Sequence, residues 1–201
     1  MYRRHGLVIA AAIGLLVPLG TSAAVVAWTD VPVRIYDRAG LSAATTQAAL
    51  ALAAATLASA SLEVRWRLCV PSARSATTCD APLRAGERVI RILHAPRPES
   101  RHRALPLGEA LIDTETGTGV LATIYFDRVT ALADATRSEV PPLLGRAIAH
   151  ELGHLLLASN AHSTHGLMRA IWSREELRRG TATDWAFTAG DVTAMRARAE
   201  R

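Results

Sequence analysis

Two histidines and a glutamate in the run His150-Glu151-Leu152-Gly153-His154 are the residues of this 201-residue chain best placed to do chemistry. On a helix, side chains four apart stack one turn above the other, so both imidazoles can address one ion from the same side. Imidazole nitrogen is a preferred ligand of zinc, and the pair makes half of a zinc site. Glu151 lies close enough to such an ion to take a proton from a water held there, yet is angled away from ligating it. That is the placement of a general base. The competing reading is a core helix whose histidines only hydrogen-bond to neighbours. Burying two imidazoles and a carboxylate on an otherwise apolar helix is costly without a strong partner such as a metal.

The element that must carry these residues runs from Pro141 to Ala158. Leu143, Leu144, Ala147, Ile148, Leu152, Leu155 and Leu156 recur at helical spacing, which predicts a buried helix. Pro141 and Pro142 suit its first turn, where no amide hydrogen is needed, and Ser138 is the expected cap.

Ahead of it, Val31 to Tyr36 alternates and is β-branched, a first strand. Asp37 to Gly40 turns, and Leu41 to Ala60, rich in Ala and Leu with Ser42 as cap, predicts a long helix. Leu62 to Cys69 alternates cleanly as a second strand, and strand, helix, strand in that order implies a parallel pair. Arg88 to His94 is a third strand, and the proline-rich stretch from Ala95 to Pro106 a surface loop. Ala110 to Asp113 is a short strand, followed by a turn through Gly119 and another strand from Val120 to Phe126. Asp127 to Ala135 leads to the histidine helix through a short helix of its own. Beyond Met168, Ser173 to Arg179 predicts a short helix or turn, with Thr188 or Asp191 capping a last helix. The fold class is mixed α/β: a twisted, mostly parallel sheet of four to five strands, the histidine helix, and a small helical part at the end.

Arg3 and Arg4, an uncharged apolar run from Leu7 to Leu19, and small residues up to Ala23 read as a secretory signal over residues 1–23. The alternative is an uncleaved anchor, since no charge interrupts Leu7 to Trp28. A membrane partner is expected only in that case. Residues 24–201 then form one domain placed outside the cytoplasm. There Cys69 and Cys79, flanking a short polar loop, most simply pair with each other. The net charge of +5 comes entirely from scattered Arg, with no Lys and no basic run, and only 4% of residues are aromatic. Little is left for base stacking or phosphate tracking, which argues against nucleic acid as a partner. No pattern in the chain points to an oligomeric state.

A sheet laid down before a His-Glu-x-x-His helix, then a turn, a further histidine and a methionine, resembles the metzincin clan of zinc peptidases. Locally it is most similar to matrixins, because His162 is followed by Ser163 and Met168 stands fourteen residues beyond His154. The likeness is close over His150 to Met168 and loose before it. The clan's pattern has glycine and a third histidine where this chain has Leu157 and Asn160. The departure reads as a displaced turn: the helix runs on past Leu157, Asn160 reverses the chain in a left-handed conformation, and the third ligand moves to His162. His165 remains a rival, as does Glu175 or Glu176, which would make the site similar to gluzincins instead. His5, His94 and His102 are read as structural.

The resemblance implies one catalytic Zn2+ held by His150, His154 and His162, with Glu151 as base in peptide-bond hydrolysis. It implies a peptide or protein substrate lying extended along an edge strand, for which Val120 to Phe126 is the expected element. A tyrosine that some members place after the methionine has no counterpart; Trp172 is the nearest aromatic. The alternative is an exported zinc-binding or interaction domain without activity.

Overall fold

The computed structural model describes residues 29–69, 79–96, 106–113, 115–179 and 181–199. The expected signal or anchor over 1–23, the loop between the cysteines, the centre of the proline-rich loop, and His5 and His102 lie outside these. No described helix is long and apolar enough to cross a membrane.

The strands are β1 (Thr29–Asp37), β2 (Leu62–Cys69), β3 (Arg88–Leu93), β4 (Gly108–Asp113) and β5 (Thr118–Tyr125). They form one sheet in the order β2-β1-β3-β5-β4. Every pair is parallel except β4 with β5. The helices are α1 (Ala43–Ala58), α2 (Phe126–Thr136), α3 (Val140–Leu157), α4 (Arg174–Arg179) and α5 (Ala189–Ala199), with a short 3-10 turn at Ala182–Trp185. The expected mixed α/β class and mostly parallel sheet are what the chain forms.

The expected place of one strand is not the one observed. The strand expected at 120–126 as a free edge is β5, which lies between β3 and β4 with its main chain paired on both sides. The edge strands are β2 and, next to β5, β4, the short element whose alternation is too brief to announce its place. It starts two residues earlier than expected and runs antiparallel. Val120 itself is the extra residue of a bulge, because Leu121 pairs with Leu111 while Gly119 pairs with Ile112.

One face of the sheet buries Val31, Val33, Ile35, Ile90, Ile92, Ala122 and Ile124 against the helices. Within α3 every residue from 143 to 155 is buried except Arg146, so this helix sits in the core. Ser42 caps α1 as expected, its hydroxyl accepting the Thr45 amide at 3.1 Å. Ser138 does not cap α3: the capping position is Glu139, with no side-chain bond, and Pro141 occupies the first turn. Thr188 and Asp191 cap α5 reciprocally, each side chain accepting the other's amide at 3.1 and 2.9 Å.

The opposite face of β1 carries a charge that strand alternation would place in solvent. Arg34 is 1% exposed. Its Nε and Nη2 donate to the two oxygens of Glu87 at 2.6 and 2.8 Å. Its remaining donors meet the carbonyls of Cys79, Ala81 and Pro82 at 2.6–3.0 Å. All five N–H bonds of the guanidinium are used, which is what allows it to be buried. The segment after Cys79 is thereby fastened across the sheet, and the disulfide between Cys69 and Cys79 ties its start to the end of β2.

The Arg34 guanidinium holds the Glu87 carboxyl at about 2, below its ordinary 4.5. A carboxyl whose folded value is depressed adds stability above its unfolded value and loses it as pH falls toward the folded one. Glu87→Ala should therefore cost about 3–5 kcal/mol at neutral pH, because it leaves a buried guanidinium unpaired. Urea titrations should show the gap to the native protein narrowing as pH falls from about 4.5 toward 2.

Candidate metal centre

The end of α3 builds the site through its own cap. Ala158 takes a left-handed conformation (φ 43°), and the amides of Ala158 and Ser159 return to the carbonyls of Leu155 and His154 at 3.3 and 3.2 Å. This is a Schellman closure. The reversal therefore falls at Ala158, two residues before the expected Asn160, because the paired amides and not the residue type decide where the helix stops. The same turn brings the Ser159 carbonyl to 2.7 Å from His154 Nδ1. The Leu167 carbonyl lies 2.9 Å from His150 Nδ1 and also accepts Trp172 Nε1 at 3.3 Å.

A carbonyl oxygen only accepts, so each Nδ1 carries the ring proton and each Nε2 is a bare lone pair. The two Nε2 atoms face each other at 3.1 Å. Burial pushes His150 down to about 4, and also lowers His154 and His162, so that all three rings are neutral at neutral pH. Two lone pairs at this distance repel unless a cation stands between them. Nitrogens about 2.0–2.1 Å from one tetrahedral zinc stand roughly 3.3 Å apart, so the donor set fits that ion.

His162 completes the group. Its ring centroid lies 5.4 Å from that of His150 and 4.8 Å from that of His154, and ligand atoms of all three lie within 4.8 Å of one another. The loop that delivers it closes through the Ser163 amide on the Met168 carbonyl at 2.9 Å, and the Ser163 hydroxyl reaches Asp191 at 3.4 Å. Of the rivals, His165 is exposed beside Thr164. Glu175 is exposed, and Glu176 gives one oxygen to the Ser173 amide and the other to Arg169. Among the described residues none of these joins the three rings. His94 packs edge-on to Phe126, away from the group.

Met168 is fully buried, its side chain against Gly153 of α3. A Cβ at Gly153 would lie 2.7 Å from Met168 Sδ and 2.8 Å from Phe187 Cε1, so only glycine admits this approach. Glu151 is 6% exposed and has no hydrogen-bond partner among the described residues. Burial, with the Glu109 charge adding, pushes its carboxyl up to about 8 in the metal-free protein. It lines a cleft of about 1090 Å³ together with the three histidines, the start of β4 and Trp172.

Sequence reasoning missed the carbonyls of Ser159 and Leu167, which no residue type signals. It missed as well the close approach of Gly108 to Glu151, where a Cβ would stand 2.8 Å from Glu151 Oε1; the glycine opening a strand was the available sign. The sequence matches no family model and no curated protein. Among solved structures, archaemetzincin from Methanopyrus kandleri is similar at 17% identity and a TM-score of 0.49, covering 92% of this chain and 100% of that one.

Gly153→Ala should lower stability by about 1–3 kcal/mol through overpacking. Thermal unfolding measures that loss, and a crystal structure of the variant should show Met168 and Phe187 displaced from residue 153.

Proposed function

We propose that this chain is an exported zinc-dependent peptidase in which His150, His154 and His162 hold one Zn2+ and Glu151 is the general base. The observation that carries the reading is the pair of bare imidazole nitrogens at 3.1 Å, each ring oriented by a carbonyl behind it. Zinc, when bound, supplies Lewis acidity, polarising a substrate carbonyl and making water a nucleophile at neutral pH. Everything else falls to the chain's own residues. The unpartnered Glu151 carboxyl accepts the proton of the attacking water and delivers it to the departing amine. Export is supported by the disulfide, which persists only in an oxidising compartment, and by the apolar leader read over residues 1–23.

The substrate strand belongs to β4. Tyr125 donates to the Leu107 carbonyl at 2.8 Å, so Leu107 and Tyr125 are a hydrogen-bonded pair of the antiparallel ladder. By alternation, Gly108 and Ala110 turn their N–H and C=O toward the free edge, and both line the cleft. An extended peptide can add there as a sixth strand. A Cβ at Gly108 would stand 2.8 Å from both Cγ and Oε1 of Glu151 and 2.7 Å from the Thr123 carbonyl. The missing side chain is what lets the peptide main chain lie directly over the base.

Metal analysis of the purified protein should give one zinc per chain, removable by chelation, and His162→Ala should abolish it. Glu151→Gln should keep the metal and lower kcat on an unfolded protein substrate by about 10²–10⁴-fold. Retained zinc with no hydrolysis by the native protein would leave a zinc-binding domain and end the peptidase reading. Gly108→Ala should keep zinc while reducing kcat, by displacing the base.

A further inference from the structure

We propose that the cleft selects substrates carrying a carboxylate just downstream of the scissile bond, and that Arg128 is the residue that recognises it. This rests on the peptidase reading above. Antiparallel addition is the more stable pairing, so a peptide on β4 runs from the Asp113 end toward the Gly108 end. The Glu151 carboxyl beside Gly108 sets the height of the bond to be cut. The residues after that bond then pass Leu107 and Pro106, where Arg128 of α2 lines the cleft.

Arg128 is held ready there. Its Nη1 donates to the Pro106 carbonyl at 2.8 Å, and its guanidinium lies over the Tyr125 ring at 4.0 Å from the centroid. Among the described residues it forms no other hydrogen bond and no ion pair, and its Nε is buried without a partner. Asp127, its neighbour in sequence, and Glu109, which also lines the cleft, each hold another partner. Asp127 accepts the Ala95 amide at 2.8 Å, and Glu109 accepts the Tyr125 hydroxyl at 2.7 Å. Arg169, the other cleft arginine, is already paired with Glu176 at 3.1 Å. Among the described residues Arg128 is thus the cleft arginine with no ion pair, fixed in place and planar, which is the arrangement that favours a carboxylate. Either an acidic side chain or a free C-terminus supplies that group.

The test offers zinc-loaded protein quenched peptides of one sequence. They carry Glu, Gln or Lys at the two positions after the cleaved bond, with free or amidated ends. Acid-bearing or free-ended peptides should show kcat/KM about ten- to a hundredfold above the Gln and Lys amides. An advantage of Glu assigns the carboxylate to a side chain, and an advantage of the free end assigns it to the terminus. Arg128→Gln should remove the preference, and Arg128→Glu should turn it toward Lys. Equal rates across the native series, or an acid preference surviving in both variants, would overturn the proposal while leaving the peptidase reading intact. Anisotropy with the Glu151→Gln protein separates the remaining case. If no peptide is cut, yet acid-bearing peptides bind and Arg128→Glu releases them, the peptidase reading falls and the carboxylate subsite stands. Neither cleavage nor binding would overturn both.

Discussion

Two imidazole nitrogens, both stripped of their proton, point at each other across 3.1 Å in the buried end of α3. That contact is unfavourable on its own, and the rest of the molecule is arranged to enforce it. The Ser159 and Leu167 carbonyls fix the tautomers from behind, and burial keeps the rings neutral. The three rings could hold a metal ion, and a cradle oriented in this way would meet the cost of arranging its donors during folding.

Holding that contact requires a rigid frame. The sheet buries one face against α1 and α3, and on the other the Arg34–Glu87 pair anchors the segment that follows the disulfide. The ion pair need not be a net gain over apolar packing. What it provides is registry, because five donors with five acceptors admit one placement of that segment on the sheet. The antiparallel β4 then closes the side of the sheet nearest the rings, so the cleft has a hydrogen-bonding edge on one wall and side chains of α2, α3 and the loop at 169–172 on the other.

Capping decides more of the site than the three histidines themselves do. The Schellman closure at Ala158 both ends α3 and supplies the carbonyl for His154, while the reciprocal cap of Thr188 and Asp191 is joined by the Ser163 hydroxyl, next to His162. His162 reaches the other two rings because the chain reverses at once after Leu157 and then has three further residues, 159–161, in which to return.

The sequence by itself determined the periodic and the local: the apolar stripe of α3, the alternation of β1, β2 and β3, the Ser42 cap, and the one-face placement of His150 and His154. Those follow from spacings of two and four residues, which a chain cannot hide. It did not determine which strand forms the edge, that Arg34 is buried, or which carbonyls stand behind the imidazoles. Alternation in β5 is the same whether its edges are paired or free, and every residue carries an identical backbone oxygen. Only tertiary pairing, which brings residue 167 to 150 and residue 108 to 151, distinguishes them, because the interactions concerned join groups remote in sequence and carry no periodicity along it.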